Sequence, residues 1–209
     1  MIGVWFHLYL ILDLYSRKIV GWELHVTDYS VHAAHLVRPT ALAEGHCHDA
    51  HKACPARRQR LHAERHDGAG VLYWLGVKPS YSRPRVSDDN AYAESLFRTA
   101  KYRPEFPVKG VADLEAARAW AAEFVRWYND EHRHSGIRYV TPGQRYCGED
   151  HAILAARHAL YLETRERNPA RWSGDSRDWS RIGPVTLNPE RDSVVAAHLK
   201  AELMQPLAA

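Results

Sequence analysis

Two apolar stretches parted by a short polar turn constrain this chain most. Val4–Tyr15 is rich in Trp, Phe, Tyr, Leu and Ile, and Lys18–Val26 is apolar again around Gly21. Ser16-Arg17-Lys18 lies between them. Aromatic and aliphatic runs joined by a polar turn predict a β-hairpin. Almost everything that follows has helical spacing. In Ser30–Glu44, Val31, Ala34, Leu36 or Val37, and Leu42 fall on one face, with Ser30 as the expected N-cap and Pro39 as an expected kink or interruption. Leu114, Ala117, Trp120 or Ala121, Phe124, and Trp127 or Tyr128 form the clearest stripe. Asp113 is placed to cap its start, and it stops in Glu131–Gly136. His151–Arg167 gives a further helix with Ile153, Leu154, Ala156, Leu160 and Tyr161 inward. Asn168–Pro189 is polar and irregular, and Val194–Leu207 suits a last helix.

The chemistry is concentrated in Ser80–Lys101. Pro84, Ser87, Asp88, Asp89 and Asn90 make its first half a loop, and from Ala91 the composition turns helical. Glu94, Arg98 and Lys101 are spaced i, i+4 and i+7, so they share one face, while Ala93, Phe97 and Ala100 share an apolar one. A carboxylate followed by two cations suits a metal ligand beside a phosphate backbone. The same spacing also suits a solvated Glu–Arg pair.

Ser82-x-Pro84 with Asn90-x-x-x-Glu94-Ser95-x-Phe97-x-x-x-Lys101 resembles the third catalytic block of insertion-sequence transposases with a retroviral-integrase-type (DDE) core. Trp127-Tyr128-Asn129, His134 and Thr141-Pro142-x-Gln144 resemble the segment after that block. Leu12-Asp13-Leu14-Tyr15-Ser16-Arg17-Lys18-Ile19-Val20-Gly21-Trp22 resembles the family's second strand and turn. The resemblance implies an α/β, RNase H-like fold: a mixed central sheet flanked by helices. It also implies DNA strand transfer with two divalent ions, Mg²⁺ or Mn²⁺. Glu94 becomes the expected catalytic acid and metal ligand. Arg83, Arg85, Arg98, Lys101 and His134 become the expected DNA contacts. Trp127 and Tyr128 read as core. The implied organisation is an integrase-type core over 1–146 and a helical and irregular extension over 147–209.

Residues 45–70 depart from that pattern. They hold His46, Cys47, His48, His51, Cys54, His62 and His66 where the family has a strand ending in a His-x-Asp-x-Gly block. His and Cys are metal donors, but their spacing fits no common zinc pattern. A frameshift accounts for both the lost strand and the lost block. If Arg57-Arg58-Gln59-Arg60 is encoded CGC-CGA-CAA-CGG, the next frame reads Ala-Asp-Asn-Gly. The hidden Asp would fall at Arg58, with 35 residues before Glu94, close to the family's usual gap. The match resumes near Val71–Val77, with the remains of a helix at Leu72–Gly76 and a short strand at Val77–Tyr81. The family's first catalytic Asp would precede the hairpin and is expected to be cut off before Met1. Asp13 reads as a turn residue accepting local hydrogen bonds. Asp13, Asp49 and Asp67 are the substitutes on hand. One carboxylate cannot offset two neighbouring dications, so this copy is expected to be inactive. The alternatives are a non-catalytic DNA-binding or dimerising remnant, partnered by DNA, by itself or by an intact transposase, and a metal-binding protein using His46–Cys54.

Composition permits this reading. A net charge of +3 allows nucleic-acid binding without demanding it. Three Cys with no framework spacing argue against a disulfide scaffold and for a reducing compartment. No apolar run reaches spanning length, so a cytoplasmic location is expected.

Overall fold

The computed structural model describes residues 3–44, 91–183 and 185. The anomalous stretch 45–70 with its His46–Cys54 cluster, the helix expected at 72–76, the strand at 77–81, Arg83 and Arg85, and the helix at 194–207 lie outside the described residues.

The expected hairpin is β1 (His7–Leu12) and β2 (Ile19–His25), antiparallel, from His7 opposite His25 to Leu12 opposite Ile19. Ile11 pairs with Gly21 and Leu12 with Ile19, so Val20 is an extra residue, a β-bulge. Strict alternation would set Ile19 and Trp22 on opposite faces. The bulge lets both join one apolar cluster. Asp13 closes the turn as expected. It is 1% exposed; its Oδ2 accepts from Ser16 N at 3.1 Å and Ser16 Oγ at 2.5 Å. Its Oδ1 accepts from Tyr15 N at 3.4 Å.

Among the described residues the sheet is this antiparallel pair, with helices on both faces. On one side lies α1 (Ser30–Ala43). At Gly21 a Cβ would come within 2.2 Å of Thr40 Oγ1, so glycine is what admits this helix. Two expectations for α1 are corrected. Pro39 lies within the helix without interrupting it, at the loss of the one ladder bond its missing N–H would have made. The N-cap is Tyr29, whose backbone is extended at φ −117°, and Ser30 is already helical.

On the other side lie α2 (Ala91–Lys101) and α3 (Leu114–Asp130). Leu12, Leu14 and Ile19 from the hairpin pack with Leu96 and Ala100 of α2 and Phe124, Val125 and Tyr128 of α3. A second cluster joins Leu24 to Ala117 and Ala121. Asp113 caps α3 as expected, its Oδ1 accepting from Ala116 N at 2.8 Å. Near the other end the buried Asn129 amide docks on the start of β2. Its Oδ1 accepts from Ile19 N at 2.9 Å, and its Nδ2 donates to Ile19 O at 3.0 Å. The side chain thus stands in for a neighbouring strand, which gives Trp127-Tyr128-Asn129 a structural purpose.

Thr141-Pro142-x-Gln144 is a capping box at the head of α4 (Pro142–Tyr146). Thr141 Oγ1 accepts from Gln144 N at 3.2 Å, and Gln144 Oε1 from Thr141 N at 3.0 Å. Next comes α5 (Asp150–Arg167), against which the irregular tail folds back through Trp179, packed with Leu154, Ile153, Tyr161, Ile137 and Val140. Leu160, expected inward, is 58% exposed, because the tail meets α5 on the face of Leu154 and Tyr161. A buried charge cluster fastens tail to core. Arg145 donates to Tyr15 O at 2.8 Å and Ile182 O at 2.7 Å. Arg181 binds the fully buried Asp150 through both oxygens at 2.7 and 3.2 Å.

Candidate nucleic-acid interface

Burial of Leu96 and Ala100 sets the rotation of α2, and that rotation turns Glu94, Arg98 and Lys101 to solvent. Phe97 and Ala93 are half-buried beside them, so the expected apolar face is right, with Leu96 as its missed centre. The solvated Glu94–Arg98 pair is not formed among the described residues; the Arg98 guanidinium leans over Tyr102, 5.5 Å from its ring. Lys101 lines the rim of an apolar groove of about 320 Å³ between β1 and α2, floored by Leu8, Phe97 and Trp120. Among the described residues the helix therefore presents one carboxylate and two cations without carboxylate partners.

A third cation supports this helix from below. Arg17, at φ 69° in the hairpin turn, is 7% exposed and lies 3.8 Å from the ring centre of Tyr92, two residues before Glu94. Its Nε and Nη1 have no hydrogen-bond partner. Nothing in the turn sequence pointed to this stacking, since Arg17 and Tyr92 are far apart along the chain.

His134 sits at the far end of α3. Its Nδ1 accepts from Gly136 N at 3.0 Å, leaving Nε2 as the donor. Burial, then the neighbouring His132 and Arg17, push it down to about 4, so it is neutral at pH 7. Towards a phosphate it offers a neutral hydrogen bond rather than a charge. Tyr128 is core, as expected, and burial raises its phenol. Trp127 is half-buried, with the Arg103 guanidinium 3.9 Å from its ring centre and His132 at 4.8 Å.

The donors for a divalent ion do not assemble among the described residues. No group of three or more His, Cys, Asp or Glu there is placed to hold one. Glu94 stands exposed, and both carboxylate oxygens of Asp13 are engaged by its own turn. This set does not fit a two-ion centre, which needs several carboxylates converging on the metals.

A family model described as an integrase core domain matches residues 75–142. The match supports a transposase- or integrase-type protein. It covers α2, α3 and the turn up to the capping box, the same segments that carry two of the three sequence resemblances. Comparison with curated proteins and with solved structures finds no match. No helix among the described residues is long and apolar enough to cross a membrane.

Proposed function

We propose that the chain derives from a DDE transposase of an insertion sequence, with an RNase H-like core over 1–146 and an extension over 147–209. It holds DNA by the exposed face of α2 and does not carry out strand transfer. The observation that carries the reading is the face itself. Within the matched integrase-core stretch, Glu94, Arg98 and Lys101 are exposed together, and among the described residues no carboxylate pairs with the two cations. Arg83 and Arg85 are assigned to the same contact from the sequence. Inactivity follows from the acid count: Arg58-Gln59 stand where the second Asp is expected, as an internal frameshift would leave them. Glu94 would be the one remaining ligand for Mg²⁺ or Mn²⁺, so binding of the pair is impaired. The partners assigned are DNA, a second copy, or an intact transposase.

The test is duplex binding by fluorescence anisotropy across a salt series. Each phosphate neutralised contributes about 0.9 to the slope of log K against log salt through the counterions it releases, so Arg98→Ala with Lys101→Ala should flatten it by about two and weaken binding to all sequences alike. Unchanged binding would remove this face from the interface. Mg²⁺-dependent cleavage of transposon-end DNA by the parent, lost in Glu94→Gln, would show that the site is alive.

A further inference from the structure

The turn that follows α3 carries two consecutive non-glycine residues in the left-handed region, Arg138 at φ 63° and Tyr139 at φ 60°. Such strain is held only where surrounding bonds impose it. Here Tyr139 N donates to His134 O at 3.0 Å, His134 N to Val140 O at 3.2 Å, and Arg157 Nη1 to Arg138 O at 2.9 Å. The conformation lifts Tyr139, 40% exposed, away from the core formed by Ile137 and Val140 on either side.

The tail brings cations to that ring. Arg177 lies 5.3 Å from the centre of Tyr139 and 5.7 Å from Trp179, and Arg157 lies 5.5 Å from Trp179. Arg138 is committed to Asp178 at 2.6 Å. Arg133 and Arg177 are exposed and have no carboxylate partner among the described residues. Burial and then the nearby charge of Arg133 lower the Arg157 guanidinium, which places Arg133 beside it. Around Tyr139 and Trp179 the described residues thus gather Arg138, paired to Asp178, with Arg157 and Arg177, and Arg133 stands next to Arg157. An exposed aromatic face beside Arg177 and Arg133, cations without a carboxylate partner among the described residues, suits a base with its flanking phosphates. An acidic peptide would use the charges and leave the ring idle.

We propose that Tyr139, Arg177 and Arg133 form a second nucleic-acid contact that takes an unpaired segment of a strand, a base stacking on Tyr139 and phosphates on Arg177 and Arg133. It rests on reading the chain as a nucleic-acid-binding protein, and it lies on the turn and tail, not on α2.

The experiment compares the full chain with Tyr139→Asn, Tyr139→Phe and Arg177→Ala by anisotropy, using a blunt duplex and the same duplex with a single-stranded overhang. Asn tolerates the left-handed backbone, so that variant removes the ring without forcing the turn open. The expected result is that the overhang tightens binding by the parent. Tyr139→Asn and Arg177→Ala should each cost roughly tenfold on the overhang substrate and little on the blunt duplex, with Tyr139→Phe close to the parent. Equal losses on both substrates, no loss in either variant, or displacement of the overhang by poly-glutamate as effectively as by oligonucleotide would overturn the proposal. Arg98→Ala with Lys101→Ala should lower both substrates together. If that pair changes nothing while Tyr139→Asn still discriminates, the α2 reading fails and this contact stands.

Discussion

Asn129 offers the sharpest test of how the core is held. Its amide exchanges two hydrogen bonds with the backbone of Ile19, at 2.9 and 3.0 Å, inside the protein. Asn129→Ala strands one buried N–H and one buried C=O, each worth about 1–3 kcal/mol when left unpaired. Partial hydration at the strand end reduces this, so the expected loss is about 2–4 kcal/mol. At about 2–4 °C per kcal/mol for a chain of this length, Tm should fall by roughly 5–15 °C. Asn129→Asp separates hydrogen bonding from size. An ionised carboxylate would face Ile19 O across the lost Nδ2 bond, so its folded pKa should rise above the ordinary value of about 3.9. The folded state then binds more protons than the unfolded state between those two values. The stability of this variant should therefore be greatest at low pH and fall as pH rises through the raised pKa. Denaturant titrations at several pH values measure both effects. A loss below about 0.5 kcal/mol for Asn129→Ala, or a pH profile for Asn129→Asp that parallels the parent, would refute the argument that this amide substitutes for a strand.

Asp150→Ala should cost about 3–5 kcal/mol, because it leaves the 1%-exposed Arg145 and the bound Arg181 uncompensated; chemical denaturation checks it, and a loss under about 1 kcal/mol contradicts the fastening role. Gly21→Ala should cost about 1–3 kcal/mol by driving a methyl into Thr40, and Thr40→Ala in the same chain should recover part of that. His134 should titrate near 4 by NMR rather than near its ordinary 6.5. The unfolded chain takes up that proton first as pH falls, so the contribution of neutral His134 is full above 6.5 and lost towards 4; a midpoint near 6.5 would return it to the charged contacts.

The hairpin, the cap at Asp113 and the stripe of α3 were legible in the sequence, because each depends on local periodicity or on residues three positions apart; the stripe of α1 was legible only at its centre, since Ala34, Leu36 and Val37 are buried but Val31 and Leu42 stand exposed. The exposure of Glu94, Arg98 and Lys101 was legible for the same reason: helical spacing fixes which residues share a face. Local pattern failed where a long-range contact decided the outcome. Leu160 has the right spacing for the core, but burial depended on where Trp179 arrived from the tail. Arg17 under Tyr92, Asn129 on Ile19 and Arg145 between Tyr15 and Ile182 join residues remote in sequence, and no spacing rule reaches that far. The neutrality of His134 came from burial, and then from His132 and Arg17 beside it. The exposed Tyr139 beside Arg177 came from a strained turn and a returning tail. The sequence by itself determined which side chains each element could display; tertiary structure decided which charges were neutralised and which stayed free, because that depends on neighbours brought together only by folding.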